Sequence, residues 1–109
     1  MSTRFIKYST PEKLNELKKW SNPNSVLQLA KRKGYNSQCI FLSPSKNKKY
    51  MIITPDNKRV HFGAMNYQDF TKHKDPKRRQ NYLNRSAGIK GDWANNKYSP
   101  NSLARVLLW

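Results

Sequence analysis

The sequence predicts an α+β fold: a small antiparallel three-stranded sheet, a meander, with about four short helices packed on one face. Three observations point there. All six prolines follow Thr, Asn, Asp or Ser, and at four of them (Pro11, Pro23, Pro76 and Pro100) a stretch of helical spacing follows. Each of these four pairs is a helix start, because the short polar side chain accepts from free N–H groups of the first turn and proline suits the first helical position. Between the second and third of these starts, helical spacing gives way to short β-rich runs. A length of 109 residues makes one domain with a modest core. We divide it into a helical hairpin over 1–34, a sheet over 35–63, and a basic helix with a C-terminal helix over 64–109.

Residues 4–8, Arg-Phe-Ile-Lys-Tyr, read as a short edge strand. The helix from Thr10-Pro11 carries Leu14, Leu17 and Trp20 on one stripe, with Glu12 and Glu16 early and Lys18 and Lys19 late, the order its dipole favours. Ser21-Asn22-Pro23 breaks it and starts a second helix that packs Val26, Leu27, Leu29 and Ala30 and ends near Gly34. Gln38 to Ser43 reads as a buried strand, and Pro44 to Lys49 as a solvated turn. Tyr50 to Thr54 and Arg59 to Phe62 then form a hairpin around Pro55-Asp56-Asn57-Lys58, ending at Gly63. After a short linker, a helix capped by Asp75 runs to about Ser86 and stops near Gly88. Residues 88–98 read as a loop anchored by Trp93 and Tyr98. The helix from Ser99-Pro100 turns Leu103, Val106, Leu107 and Trp109 inward.

Lys and Arg number 22 against 6 acidic residues, a formal net charge of +16. A compact body so charged repels itself, which makes a polyanion the natural partner. Nucleic acid, in the first place double-stranded DNA, leads over an acidic protein surface. A membrane is the weaker case, since no apolar run reaches the roughly 18 residues of a spanning helix and no helix pairs a wide apolar face with a basic one. The N-terminus has no apolar core of a secretory signal. Cys39 is alone, so a disulfide framework and a cysteine zinc site are both excluded within one chain, and it reads as a small buried hydrophobe.

The helix after Asp75 is the leading candidate interface. Lys74, Arg78, Tyr82 and Arg85 fall on one helical stripe that can follow a phosphate backbone. Arg78, Arg79 and Arg85 are the best contacts, because guanidinium binds phosphate with two donors. Lys72, Lys77, Lys90, Lys58 and Arg59 complete the nucleic-acid-binding set. A solvated charged face is the bland alternative, and the excess charge weighs against it. Zinc-finger spacing, an RNA-recognition signature and heptads behind a basic region are all missing, so binding is expected to be phosphate-directed and largely independent of sequence.

Catalysis is not expected. His61 and His73 with Asp69 and Asp75 could be assembled into the metal site of a small nuclease, but Asp75 reads as a cap, Asp56 as a turn residue, and the spacing is not diagnostic. No phosphate-cradling glycine loop or nucleophile motif occurs, and neither a metal nor another cofactor is implied. A third class is a structural or cement protein, with Trp20, Tyr67, Trp93 and Trp109 as interface anchors. A domain this small also needs those rings for its own core. The closing Leu107-Leu108-Trp109 must dock on something, either its own body or a neighbour.

From about Lys31 to Trp109 the chain resembles a small basic domain family of nucleocytoplasmic large DNA viruses. Lys48-Lys49-Tyr50, Val60-His61-Phe62-Gly63, Tyr67-x-Asp69-Phe70-Thr71-x-His73-Lys74-Asp75, Arg78, Arg79, Tyr82, Arg85, Trp93, Ser99-Pro100 and Leu107-Leu108-Trp109 carry the resemblance. It implies a viral protein carried in the particle or acting in the host cytoplasm or nucleus; together with the charge, this makes packaging or condensing the genome the leading expectation and a minor capsid or cement protein the alternative. It implies no activity and supplies no catalytic residue.

Overall fold

Each of those four Xaa-Pro pairs begins a helix. α1 (Pro11–Leu17) and α2 (Pro23–Arg32) precede the sheet of β1 (Ile40–Leu42), β2 (Lys48–Ile53) and β3 (Arg59–Ala64). A one-turn α3 (Phe70–His73), α4 (Pro76–Ala87) and α5 (Pro100–Leu107) follow it. In this computed structural model residues 3–89 and 96–109 are described, with the side chains of residues 3 and 4 left aside. Lys90, Trp93 and most of the loop expected over 88–98 therefore lie outside the described residues. The caps are as the sequence requires. Thr10 accepts from Lys13 N, Asn22 from Ser25 N, Asp75 from Lys77 N and Arg78 N, and Ser99 from Ser102 N. α2 ends in a Schellman turn, with Gly34 at φ 86° and Tyr35 N donating to Ala30 O at 2.8 Å.

The sheet is an antiparallel meander in the order β1-β2-β3. Tyr50 stands between Leu42 and Phe62, and Ile52 between Ile40 and Val60, so these six residues share one face. Leu17, Val26, Ala30, Leu103 and Leu107 join that face in the core, with Leu14, Trp20 and Val106 packed at its margin. Cys39 is also half-buried against it. Phe41 and Met51 are buried on the opposite face, where the Tyr8 ring meets Phe41 edge-on at 5.0 Å. Thr54 closes the hairpin around a three-residue loop, accepting from Asn57 N and donating to Lys58 O, with Asn57 at φ 64°.

Several expectations need correction. The segment expected as an edge strand over 4–8 is a 3-10 turn, Thr3–Ile6. β1 has only three residues, so its outer edge offers a new strand little ladder. The N-terminal segment covers that edge with side chains instead, Phe5 reaching Tyr50 on one face and Tyr8 reaching Phe41 on the other. The strand expected from Gln38 starts at Ile40, because the Asn36 side chain accepts from Gln38 N and holds Ser37–Cys39 in a 3-10 turn. The linker after the hairpin contains α3. Finally, Lys49 does not lie in a solvated turn but is buried in β2.

β3 continues through Gly63, where the chain was expected to stop. Gly63 sits at φ 81°, and a Cβ there would lie 2.8 Å from Leu108 Cδ1 and 3.2 Å from Lys49 Cβ. The missing side chain is what lets Leu108 seat on the strand. Gly63→Ala is expected to destabilise the fold by about 2–4 kcal/mol, combining left-handed strain with overpacking. Urea unfolding measures this, and a loss below about 1 kcal/mol would contradict it.

Candidate nucleic-acid interface

α4 is a solvated helix held at two points. Tyr82 stacks on Trp109 with ring centroids 4.2 Å apart, and near its C-terminus the Arg105 guanidinium donates to Leu83 O at 2.7 Å and to Ser86 Oγ. Asn101 adds a bond to Ser86 O. Ser86 is the buried residue of α4, and its charged side chains stand in solvent. Trp109 therefore docks on its own body, between Tyr82 and the His73 ring.

Between α4, the start of α5 and the open end of the β2–β3 hairpin lies a cleft of about 960 Å³. Phe62, Gly63, Ala104, Leu108 and Trp109 contribute its apolar lining. Arg78 and Arg85 line the α4 wall and Lys48 the sheet side. Asn66, Gln68, Asn81 and Asn101 supply amides, and Trp20 and Tyr67 supply rings. Among the described residues no carboxylate lines it. Four of the described acidic side chains are engaged elsewhere: Glu16 with Lys19, Asp56 with Lys58, Asp69 with Lys49, and Asp75 as the α4 cap. No described carboxylate neutralises the cleft cations locally, a condition that favours attracting a polyanion.

A buried polar chain fixes the cleft's inner end. Lys49 Nζ lies 3.1 Å from Asp69 Oδ2 and also donates to Tyr67 O at 2.6 Å. Asp69 Oδ1 accepts from Thr71 Oγ1, and Asn22 N donates to Thr71 Oγ1 at 3.0 Å. Ser21 Oγ bonds to Thr71 Oγ1 at 3.2 Å and to Tyr50 Oη at 2.7 Å. Burial lowers the Lys49 pKa, with the Asp69 carboxylate opposing, and burial raises the Tyr50 phenol well above its ordinary value. The chain ties the α1–α2 break, β2 and the 67–71 segment into one unit. Lys13 does similar work elsewhere, donating to Ser43 O, Ser45 O and Lys48 O across the β1–β2 loop.

The expected contact residues fall in three places. Arg78 and Arg85 stand together on the cleft wall, with the Arg85 guanidinium 5.8 Å from the Tyr82 ring centroid. Arg79 turns away from the cleft, donating to Trp109 O and lying over Phe70. Lys77 is exposed in the first turn of α4, and Lys72 is exposed on α3. Lys74 does not share the α4 stripe. It ends α3 in the left-handed conformation (φ 54°), because Asp75 must be extended to cap α4, and it lines a second hollow of about 240 Å³ with Arg32 and Phe70. Lys58 and Arg59 lie at the turn end of the hairpin, roughly 10–13 Å along β3 from Phe62 at the near edge of the cleft. There Lys58 pairs with Asp56 and Arg59 lies over Tyr8.

The two histidines are engaged separately. His61 Nδ1 bonds to Ser43 Oγ at 2.7 Å on the sheet face away from the core, and His73 Nδ1 accepts from Asp75 N at 2.9 Å. Burial, and then Arg78, lower the His73 pKa, which favours the neutral ring. Among the described residues no three His, Cys, Asp or Glu side chains cluster as metal ligands would. No described helix is long and apolar enough to cross a membrane.

Lys48, Asn66, Gln68, Asn81 and Asn101 complete the cleft and had not been singled out individually. Lys48 was visible in the basic run 46–49, but amides scattered over 36 positions carry no local signal. Residues 40–86 match the model of a family of unknown function (DUF5754), from β1 almost to the end of α4. No curated protein and no solved structure gives a significant match.

Proposed function

We propose that the protein binds nucleic acid through its phosphates, without catalysis and largely without regard to sequence. The observation that carries this is the cleft, where Lys48, Arg78 and Arg85 face one another with no carboxylate among the described lining residues. Guanidinium groups on a solvated helix and an ammonium across from them suit a chain of phosphates. The resemblance to the large-DNA-virus family supports a role in the virion, packaging or condensing double-stranded DNA. Basic residues at the hairpin turn and beside the second hollow favour a second reading, a minor capsid or cement protein whose charge is spread to meet acidic protein surfaces.

Duplex binding by fluorescence anisotropy at 50 and 200 mM salt, on two unrelated sequences, tests the first reading. With about six to ten phosphates engaged, affinity is expected to fall roughly 10³- to 10⁵-fold across that range and to be alike on both sequences. Little binding at 50 mM would overturn it and leave the capsid role.

A further inference from the structure

We infer that the cleft takes unpaired nucleobases, so that its preferred ligand is a single-stranded nucleic acid whose bases stack on Tyr67. The inference rests on the phosphate-binding reading above and adds what the ligand must be. Phosphate contact alone asks for charge and needs no apolar recess. This chain instead has a recess of about 960 Å³ with an apolar lining, within the roughly 300–1,000 Å³ range of sites that enclose a small organic group.

Tyr67 is the most exposed large apolar side chain among the described residues, at 70%. It stands at the cleft beside Asn66, held at φ 72°, and its backbone carbonyl is fixed by the buried Lys49 ammonium. The ring is thus presented by a rigid backbone while its face stays uncovered. Nucleobases in a duplex have their faces covered by neighbours, so only an unpaired base can use such a ring. Asn66 and Asn81, both exposed at the cleft, can bond to whichever base edge enters, since an amide both donates and accepts. Arg78 and Arg85 run along one wall, where the sugar-phosphate chain of an inserted strand would pass. Charge, an open aromatic face and amides in one concavity suit a strand with splayed bases, whereas a duplex can use only the charge.

The test compares three labelled ligands of equal length by anisotropy at fixed salt: a thymidine 20-mer, the same backbone without bases, and a 20-base-pair duplex. The thymidine strand is expected to bind at least tenfold more tightly than the abasic strand. Tyr67→Ala is expected to weaken the thymidine strand roughly 5- to 150-fold, the loss of one or more stacked bases, and to leave the other two unchanged. Tyr67→Phe keeps the ring and is expected to keep the affinity. Because the Tyr67 side chain is exposed and only its carbonyl bonds inward, neither change threatens the fold. Equal binding of the thymidine and abasic strands, or indifference to Tyr67→Ala, overturns base insertion and leaves the phosphate reading standing. Failure of all three ligands to bind overturns both.

Discussion

Asp69→Asn is expected to cost about 3–5 kcal/mol of stability, the usual loss when one partner of a buried ion pair is removed. The Lys49 and Asp69 side chains are 2% and 0% exposed, so the ammonium left behind has no water to turn to. Its remaining acceptors, Tyr67 O and Trp20 O, are neutral dipoles. The pH dependence carries a definite sign. Burial already lowers the Lys49 pKa below its unfolded value, and Asp69 opposes that shift. Without the carboxylate, the folded pKa falls further. A lysine depressed in the folded state penalises folding least above its unfolded pKa, near 10.5, and increasingly as pH drops below it. Asp69→Asn should therefore regain part of its loss, relative to the native protein, between pH 7 and pH 9.5. Lys49→Met, which removes the buried ammonium and leaves the Asp69 carboxylate, should not. Urea denaturation of both variants at the two pH values checks this. A loss below 1 kcal/mol for Asp69→Asn would mean the pair is hydrated.

The helices were legible because their signal is local. Asp75 and Ser99 cap by bonds to residues two or three positions away, and the adjoining proline fixes the next φ. The hairpin was legible for the same reason, since its turn residues bond within a five-residue stretch. The errors fell where a distant partner decides the outcome. Lys49 follows Lys46 and Lys48 in a run that reads as solvated. Only the return of the chain at Asp69, 20 positions on, makes it a core residue. Residues 4–8 have strand composition, yet the shortness of β1 leaves them to pack as a turn. Lys74 matches the α4 stripe by spacing, but the cap at Asp75 forces a break between them. The interface was half legible. Arg78 and Arg85 announce themselves by position on one helix, whereas the opposite wall comes from the end of a hairpin that no sequence spacing relates to α4.

That opposite wall supplies the sharper test of where the charge acts. Replacing Lys48, Arg78 and Arg85 together with Gln is expected to weaken the binding of a single strand at least tenfold. It should also flatten the dependence of log affinity on log salt by about two units, since each phosphate contact on a single strand contributes roughly 0.7. All three side chains are exposed, so the fold should survive. The control is Lys58→Gln with Arg59→Gln at the far end of the hairpin, where one charge already faces Asp56 and the other lies on Tyr8. If binding is localised in the cleft, this pair should leave the slope nearly unchanged. If instead the protein attracts polyanions by its net charge of +16, the two variants should lose affinity in proportion to the charges removed, three against two. Proportional losses would remove the cleft as an interface and favour the spread-charge reading, in which acidic protein surfaces are the partner. A large loss confined to the triple variant assigns the binding to residues that meet only when the sheet, α4 and α5 have folded together.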